Sequence, residues 1–522
     1  MTQAPWIETW TVRKPAVESK GGVVATHHYL ASDIGARILK DGGNAVDAAI
    51  AAGLAIPAVE PWMSGLGGGG FMMIYSAKEK RVQAVDFSMV APQSIDPNDY
   101  PLTGGKGGGL FQWPAVVEDR NMLGYLSFAV PSYVAGIALA LETFGTRRWA
   151  EIVQPAVELA EEGMTVDWYT TLLTTTAARD LVKFPESKRT YVRDGFVPVG
   201  EAGQPLPTIH LGNLARTLKR LGQAGARDFY EGEIAKQIAA DVAKGGGRLS
   251  LDDLRAYKPR ILPVTGTPYR GGTIHATPGL TAGPTFLKVF AQLGQKLKPG
   301  AQPDRDAYLA YGESLRDGYA DRFKSMGEGA AAATEVPSCT THISVADKDG
   351  NLVALTQTLL SVFGSRVMLP ETGILMNNGV MWFDPKPGGP NSIAPGRRPL
   401  TNMCPTIVER ADGFKFAIGA SGGRRIMPAV TQLTSFLVDY KMTMDQAFHT
   451  PRIDASGTEK VTADVRLPVA SLAKTLSVEA APHGVFPAMY ACPNAAGRDS
   501  AKGVSSGGAY VMSPWAKVSP EN

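Results

Sequence analysis

One stretch, residues 339–358, constrains the fold of this chain most. Within it, apolar residues alternate with polar or small ones at 343–345 and again at 353–355, around the loop Asp-Lys-Asp-Gly-Asn. Two alternating runs around such a loop predict a β-hairpin. With the turn centred on that loop, paired residue numbers sum to about 698. Thr340 is then opposite Thr358, which places two hydroxyl groups side by side.

The residues before Thr340 suggest a precursor that cuts itself. Residues 328–338 are small, poor in apolar side chains and include a proline, which predicts an exposed, mobile segment. Attack of the Thr340 hydroxyl on the Cys339 carbonyl, followed by hydrolysis, would release a new amino terminus. That α-amine, with an ordinary pKa of ~7.7–8.0, can act as general base for its own hydroxyl. From the hairpin alone, a strand that merely opens with two threonines is the commoner interpretation.

Further motifs occur in the order of a known family. They are Gly42-Gly43-Asn44-Ala45-Val46-Asp47-Ala48-Ala49, Gly65-Leu66-Gly67-Gly68-Gly69-Gly70-Phe71, Thr372-Gly373-Ile374-Leu375-Met376-Asn377-Asn378, Arg398-Pro399-Leu400 and Gly422-Gly423 with Arg425-Ile426. Together with Thr340-Thr341-His342, they resemble the γ-glutamyltranspeptidase family across residues 21 to about 453. The resemblance implies an α+β fold, the four-layer αββα sandwich of N-terminal nucleophile hydrolases. It also implies a large fragment, 1–339, and a small fragment, 340–522, intertwined as one folding unit.

The resemblance assigns catalytic roles to a few residues. Thr340 would be the nucleophile, with Thr358 beside it, and cleavage would fall between Cys339 and Thr340. Gly422 and Gly423 match the family's oxyanion-hole glycines, and such donors are typically worth ~3–4 kcal/mol of barrier. Without the family, two glycines at a strand-to-helix turn are an ordinary turn that can present N–H groups.

The residues that hold a glutamyl group in the family are replaced here. Ser88 occupies the place of an arginine that binds the α-carboxylate, and Thr401-Asn402 align with paired serines. Leu360, Gly379 and Trp382 align with three polar residues that hold the α-amino group, and none of their side chains accepts a hydrogen bond from an ammonium. Each lost contact would cost a few kcal/mol of recognition. We therefore expect an amide hydrolase with a threonyl ester intermediate, a non-glutamyl acyl group and a more apolar acyl pocket.

Alternatives remain open from the sequence. Arg424, beside the oxyanion glycines, either binds an anionic substrate or is a solvated surface residue. A clamp rebuilt from Arg424 and Asn402 would give a true γ-glutamyltransferase or glutathione hydrolase. An unprocessed relative that acts by binding would be inactive, and a cut one residue earlier would make Cys339 the nucleophile. His342 is expected to be structural, because the Thr340 amine supplies the base.

Composition limits the partners and cofactors. The 522 residues carry a net charge of +3, which gives no reason to expect nucleic acid or an anionic membrane. The three cysteines form no disulfide framework, and the histidines and cysteines show no metal-binding spacing. Gly65, Gly67 and Gly70 satisfy G-x-G-x-x-G, but the predicted strand follows them and no strand precedes, so a nucleotide is not indicated. We expect no metal and no cofactor, a small-molecule amide substrate and, from the family, a homodimer of processed protomers.

The first ten residues lack the basic and apolar regions of a signal peptide, which favours a cytoplasmic location. The longest apolar run, Ala48–Val59, is too short to cross a bilayer. In the large fragment, Ser32 is expected to cap one helix, Asn44 is expected to cap the next, and Pro57 is expected to end it. Further helices are predicted at Val134–Phe144, Ala150–Glu162, Trp168–Leu181, Leu211–Leu221, Ile234–Ala243, Asp306–Phe323 and Met427–Asp439. Strand pairs are predicted at Phe71–Tyr75 with Val82–Phe87 and at Thr406–Glu409 with Phe414–Ile418.

Overall fold

The computed structural model describes residues 10–107, 113–326, 338–457, 459–486 and 488–521. The helices in these ranges are α1 (Tyr29–Lys40), α2 (Ala45–Val59), α3 (Tyr133–Phe144), α4 (Trp149–Glu162), α5 (Trp168–Leu181), α6 (Pro185–Tyr191), α7 (Leu214–Ala224), α8 (Asp228–Glu231), α9 (Glu233–Lys244), α10 (Leu251–Ala256), α11 (Gly283–Lys296), α12 (Arg305–Met326), α13 (Ile426–Val438), α14 (Met444–His449) and α15 (Val469–Leu472).

The strands are β1 (Val17–Ser19), β2 (Val23–Thr26), β3 (Gly69–Ser76), β4 (Arg81–Phe87), β5 (Leu102–Lys106), β6 (Pro114–Val116), β7 (Met164–Thr165), β8 (Thr208–Ile209), β9 (Arg260–Pro263), β10 (Thr267–Tyr269), β11 (Gly272–Ala276), β12 (Ser338–Ala346), β13 (Leu352–Ser361), β14 (Thr406–Glu409), β15 (Phe414–Ser421), β16 (Ile453–Asp454), β17 (Val461–Asp464), β18 (Val478–Ala481), β19 (Cys492–Asp499), β20 (Val504–Ala509) and β21 (Lys517–Pro520).

Two antiparallel sheets dominate the fold. The first sheet has the strand order β21-β2-β12-β13-β3-β4-β9, and the second has the order β1-β20-β19-β15-β14-β11-β10. The predicted hairpin, β12 with β13, lies at the centre of the first sheet. The second sheet holds the strand pair β14 and β15 and leads into α13. The remaining sheets in the described ranges are small: β16-β17-β18, β5-β6 and β7-β8.

The two sheets face each other across a buried layer that is rich in alanine. Strand alternation sends Ala346 and Ala354 of the first sheet toward Ala417 and Ala496 of the second, within one buried cluster. Their small volumes allow a close approach. Where Gly419 lies, an added Cβ would come 2.3 Å from the His342 ring, so the two sheets touch at that point.

Helices cover the outer face of each sheet. The opposite sides of the hairpin, including Val345 and Leu355, pack against α1 and α2. Phe416 and Ile418 of the second sheet pack against α11, α12 and α13. The chain is therefore of the α+β class, with antiparallel sheets inside and helices outside. Within the described ranges, the helices are too short or too polar for any of them to span a bilayer.

Most predicted elements are observed, with limits that differ by up to three residues, and the predicted cap of α1 and the predicted end of α2 are wrong. α5 and β14 have the predicted bounds. The cap of α1 is His28, whose Nδ1 accepts from the Leu30 N–H, and Ser32 lies inside that helix. Asn44 caps α2 as predicted, but α2 continues through Pro57 to Val59. Of the segment predicted to be mobile, residues 328–337 are outside the described ranges, as are the first nine residues used to predict location.

Candidate active site

A β-bulge interrupts the hairpin at Thr340. From Thr341 to Ala346 the pairing follows the predicted register, with Thr341 opposite Gln357. Two residues earlier in the chain, Cys339 is opposite Leu360, so the register shifts between Cys339 and Thr341. Thr340 therefore faces two residues of β13, one of which is Thr358. A bulge bends a strand and redirects a side chain, and this one lies at the bond expected to be cut.

The two threonine hydroxyls meet at the Cys339 carbonyl. Thr358 Oγ1 donates to the Cys339 oxygen at 2.6 Å and accepts the Leu360 N–H at 2.9 Å. The Thr340 Oγ1 lies 3.1 Å from Thr358 Oγ1 and also contacts the Cys339 oxygen. Donation to a carbonyl draws electron density from its carbon, and acceptance from Thr340 polarises the O–H of that residue. Both hydroxyls therefore lie at the carbonyl that Thr340 is predicted to attack.

The Cys339 side chain is locked in the core. It is fully buried, and its Sγ donates to the Ser361 carbonyl at 2.8 Å. Burial raises the pKa of this thiol to about 12, so it remains protonated at neutral pH. The thiolate, and not the thiol, is the nucleophilic form of cysteine. In the uncleaved chain, this environment disfavours the alternative in which Cys339 is the nucleophile.

Gly422 and Gly423 form the turn between β15 and α13. Both have positive φ, 134° and 56°, in the region that favours glycine. An added Cβ on Gly422 would lie 2.9 Å from the Ala491 Cα, so the backbone approach also requires glycine. The turn adjoins β12, the strand that carries Thr340. Its role as an oxyanion hole stays a prediction, but the predicted strand-turn-helix context is present.

Ser88 is engaged by two charged neighbours. Its Oγ donates to Asp86 Oδ1 at 2.7 Å, and Arg398 Nη1 donates to the same Oγ at 2.8 Å. Arg260 also pairs with Asp86. A guanidinium thus reaches position 88 from another part of the chain. No local pattern in the sequence predicts this contact, because Arg398 and Ser88 lie some 310 positions apart.

Thr401 and Asn402 are held by internal partners. Thr401 Oγ1 donates to the Leu280 carbonyl at 3.2 Å, and Asn402 Oδ1 accepts from Arg322 Nη2 at 3.1 Å. Arg322 is 1% exposed and also donates to the Thr401 carbonyl at 2.7 Å. These bonds occupy groups expected to bind substrate. Arg322 is a further buried cation that sequence reasoning missed, because it lies in a helix that reads as an ordinary amphipathic one.

Leu360 and Trp382 belong to one apolar cluster. It comprises Phe71, Met89, Trp113, Ala129, Leu360, Met381, Trp382 and Met403. Leu360 has a φ of 89°, which is unusual for a leucine. That conformation accompanies the bulge, and it separates the Leu360 side chain from the cluster that contains Cys339. Trp113 Nε1 donates to the Met381 carbonyl at 3.0 Å, which anchors the cluster.

Arg424 is not a surface residue, so the solvated alternative is wrong. Only 2% of it is exposed, and its guanidinium carbon lies 5.1 Å from the centre of the Phe323 ring. The Tyr319 hydroxyl donates to the Arg424 carbonyl. A cation stacked on an aromatic face is stabilised electrostatically. The guanidinium therefore lies inside the protein, one residue from the glycine turn, and faces α12.

Two buried imidazoles lie at β12: His342 belongs to that strand, and His27 follows β2, its neighbour in the sheet. His342 Nδ1 is 2.8 Å from Thr356 Oγ1 and its Nε2 is 3.0 Å from Ser344 Oγ. His27 Nε2 is 3.0 Å from the Cys492 carbonyl. Burial lowers the pKa of His342 well below its ordinary value and lowers that of His27 to about 4, so both are neutral at pH 7. His342 joins the two sheets, as expected for a structural residue. The described residues contain no group of three His, Cys, Asp or Glu side chains suited to a metal ion.

Comparisons with known proteins identify the family. The family model described as gamma-glutamyltranspeptidase matches residues 31–338 and 325–477. The chain is 31% identical over 488 residues to the glutathione hydrolase proenzyme of Bacillus subtilis (strain 168), covering 83% of this chain and 80% of that protein. It is 32% identical over 489 residues to the glutathione hydrolase proenzyme of Escherichia coli (strain K12), covering 84% and 81%.

An acylase is equally similar. The acylase ACY 1 proenzyme of Pseudomonas sp. (strain V22) is 31% identical over 480 residues, covering 85% of this chain and 84% of that protein. The crystal structure of cephalosporin acylase from Bacillus halodurans shares the fold, with a TM-score of 0.83, 23% identity and coverage of 100% and 99%. These findings define a class of proenzymes with hydrolase and acylase members. This chain belongs to the γ-glutamyltranspeptidase family.

Proposed function

We propose that this protein is a self-cleaving amide hydrolase that uses Thr340 as an N-terminal nucleophile. The observation that carries the proposal is the Cys339 carbonyl, held by the Thr358 hydroxyl with the Thr340 hydroxyl beside it. Cleavage would yield fragments 1–339 and 340–522, which remain one folding unit. The helix and sheet layers would form the four-layer αββα sandwich of N-terminal nucleophile hydrolases. The cytoplasmic location stays a prediction.

Self-cleavage proceeds through an ester. The Thr340 Oγ1 forms a bond to the Cys339 carbonyl carbon, and the Cys339–Thr340 C–N bond breaks as the nitrogen takes up a proton. Water then adds to the ester carbon and restores the hydroxyl. The products are a carboxylate on Cys339 and an α-amine on Thr340. Thr358 stabilises the oxyanion in the first step, because it already donates to that oxygen at 2.6 Å.

Hydrolysis of a substrate repeats the same bond changes with an external amide. The freed α-amine accepts the Thr340 hydroxyl proton, Oγ1 bonds to the acyl carbon, and the amide C–N bond breaks after the proton passes to the leaving nitrogen. Water, activated by the same amine, releases the acid. The N–H groups of the Gly422–Gly423 turn, next to β12, would stabilise the oxyanion of each step.

The acyl group is proposed to be other than γ-glutamyl. At the places expected to hold an amino-acid head group, Leu360 and Trp382 are apolar and buried together. Asn402 is bonded to Arg322, and Ser88 is bonded to Asp86. An ammonium placed in such a cluster would lose its hydration without a partner, which is costly. Arg424, buried beside the turn, is proposed to favour an anionic substrate.

A γ-glutamyl enzyme is the second candidate. One observation favours it: Arg398 reaches Ser88, the position from which the family's arginine binds carboxylate. Relatives of this chain are named glutathione hydrolases. Steady hydrolysis of γ-glutamyl-p-nitroanilide or glutathione by the processed protein would establish this candidate in place of the first.

The proposal is tested by gel electrophoresis under denaturing conditions. Wild type is compared with Thr340→Ala and with a matched control, Thr434→Ala, which removes the hydroxyl of a buried threonine in α13. We expect two fragments from wild type and the control, and a single chain from Thr340→Ala. A wild-type protein that is folded but stays intact would remove the hydrolase proposal and leave the inactive, binding relative.

A further inference from the structure

We propose that Asn494 is a positioning residue that holds the strand carrying Thr340 at a fixed distance from the Gly422–Gly423 turn. The inference rests on the proposed function and concerns the geometry of its oxyanion step. Asn494 belongs to β19 in the second sheet, whereas Thr340 belongs to β12 in the first. Turnover as proposed needs groups from both sheets, so it depends on a contact that fixes one sheet against the other.

The end of β12 near Thr340 is the place where such a contact is needed. Among the described strands, β13 alone accompanies this end, because β2 pairs with β12 only along Ser344–Ala346. Backbone groups on the β2 side therefore need other partners. The Asn494 Nδ2 donates to the His342 carbonyl at 2.6 Å, and both residues are fully buried. A side chain of the second sheet thus takes the place of a strand.

From Asn494 the same strand leads to the glycine turn. Cys492, two residues before Asn494, is opposite Ser421 in β15. Gly422 follows Ser421, and an added Cβ on Gly422 would lie 2.9 Å from the Ala491 Cα. The start of β19 is therefore packed against the turn at one end and bonded to β12 through the Asn494 amide at the other.

His27 makes a second contact between these elements. It follows β2 and is buried, and its Nε2 lies 3.0 Å from the Cys492 carbonyl. Because a carbonyl only accepts, this nitrogen carries the proton. Burial lowers the pKa of His27 to about 4, and the backbone groups of Cys492 and Thr340 oppose that shift. His27 therefore lies close to both β19 and the proposed nucleophile.

The two proposed reactions differ in what they need from these contacts. Self-cleavage uses Thr340 and Thr358, which lie together within the β12–β13 hairpin. Turnover also uses the N–H groups of the turn, which follows β15 of the second sheet. A misplacement of about 1 Å can cost about 10²-fold in rate. Loss of the Asn494 amide should therefore slow turnover far more than self-cleavage.

The test compares wild type with Asn494→Ala, with Asn494→Leu, which fills the space without an N–H, and with the control Gln432→Ala. Gln432, in α13, is a buried amide that donates to the Ile453 carbonyl at 2.7 Å. Self-cleavage is followed on denaturing gels. Turnover is followed with p-nitrophenyl acetate, after subtraction of the release by Thr340→Ala.

The ester assay reports on the oxyanion step without a particular acyl pocket. Thr340 Oγ1 bonds to the acetyl carbon, its proton passes to the α-amine, and p-nitrophenolate leaves. Water then adds to the acetyl ester, releases acetate and restores the hydroxyl. We expect both Asn494 variants to self-cleave within about threefold of wild type and to release p-nitrophenolate about 10–100-fold more slowly. The control should keep both rates.

His27 gives an independent measurement. His27→Ala should show the same split between the two reactions, and His27→Gln, which keeps an N–H for the Cys492 carbonyl, should recover turnover. Equal turnover by wild type and the Asn494 variants, or equal slowing of both reactions, would overturn the inference and leave the proposed function intact. A wild type that gives no fragments, or fragments without Thr340-dependent release of p-nitrophenolate, would instead refute the proposed function.

Discussion

At the scale of single residues, Thr358 holds the carbonyl of the proposed cleavage site. Its hydroxyl is fully used: it donates to the Cys339 carbonyl and accepts from Thr340 and from the Leu360 N–H. This pattern fixes the direction of its O–H bond. The carbonyl to be attacked is therefore polarised before the reaction begins.

Removal of that hydroxyl should slow self-cleavage. For Thr358→Ala we expect a rate reduced by about 10²–10³-fold, the usual effect of losing one oxyanion donor. Thr358→Ser keeps the hydroxyl and should retain most of the rate. The measurement is the appearance of fragments over time on denaturing gels. Cleavage of Thr358→Ala at the wild-type rate would show that another group polarises the carbonyl.

Leu360 is a second residue whose backbone is unusual, with a φ of 89°. Alanine retains the strain of a positive φ, whereas glycine does not. We therefore expect Leu360→Gly to be more stable than Leu360→Ala by about 1 kcal/mol. At Leu355, in the same strand, alanine should be the more stable of the two.

Stability is measured by urea unfolding in the Thr340→Ala background, so that every variant is an intact chain. Alanine and glycine at one site both remove the leucine side chain beyond Cβ. The cost in unfolding free energy of the resulting cavity is therefore similar in the two variants and largely cancels in the comparison. If alanine were more stable than glycine at Leu360 as well as at Leu355, the backbone conformation of Leu360 would store no strain.

At the scale of elements, the contact between the two sheets depends on one glycine. An added Cβ on Gly419 would lie 2.3 Å from the His342 ring, and His342 is bonded to Thr356 and Ser344. Overpacking of this kind typically costs about 1–3 kcal/mol. The position of β12, which carries Thr340, thus depends partly on β15 of the opposite sheet.

For Gly419→Ala we expect a loss of about 1–3 kcal/mol in the free energy of unfolding. Gly457→Ala is the matched control, because nothing lies within 4 Å of its added Cβ. Urea unfolding of both variants in the Thr340→Ala background gives the comparison. If both variants had the stability of their parent, the sheets would be less tightly apposed at Gly419 than the structure indicates.

The elements also show how far sequence reasoning reaches. The register of the hairpin could be predicted, because alternation and a turn fix it locally. The bulge at Thr340 could not, since it depends on how the strand end packs against other elements. The same holds for the cap of α1: Ser32 fits the local pattern, but the helix begins earlier and His28 provides the cap. Pro57 lies within α2, whose residues are all buried, so tertiary packing outweighs its helix-breaking tendency.

The sequence predicts which residues of the candidate site lie together better than it predicts their surroundings. Thr340 and Thr358 are adjacent as expected, and Leu360 and Trp382 share an apolar cluster. Arg398, Arg322 and the burial of Arg424 depend on contacts between distant parts of the chain. Long, flexible side chains contact residues that are distant in the sequence, and no local sequence pattern predicts which residues they contact.

At the scale of the whole molecule, the proposed cut divides the polypeptide into two fragments that remain parts of one fold. In the first sheet, β2 of the large fragment lies between β21 and β12 of the small fragment, and β13 of the small fragment pairs with β3 of the large. Each fragment thus supplies strands that the other needs for its ladder. Fragments interleaved in this way should stay together until the protein is unfolded.

The most direct test of self-cleavage at Thr340 is an intact mass measurement under native and denaturing conditions. Self-cleavage at Thr340 predicts a native species with the mass of the whole chain plus one water molecule. After denaturation it predicts two fragments, the smaller beginning at Thr340. A smaller fragment that begins at Cys339, or a folded chain without the added water, would contradict self-cleavage at Thr340.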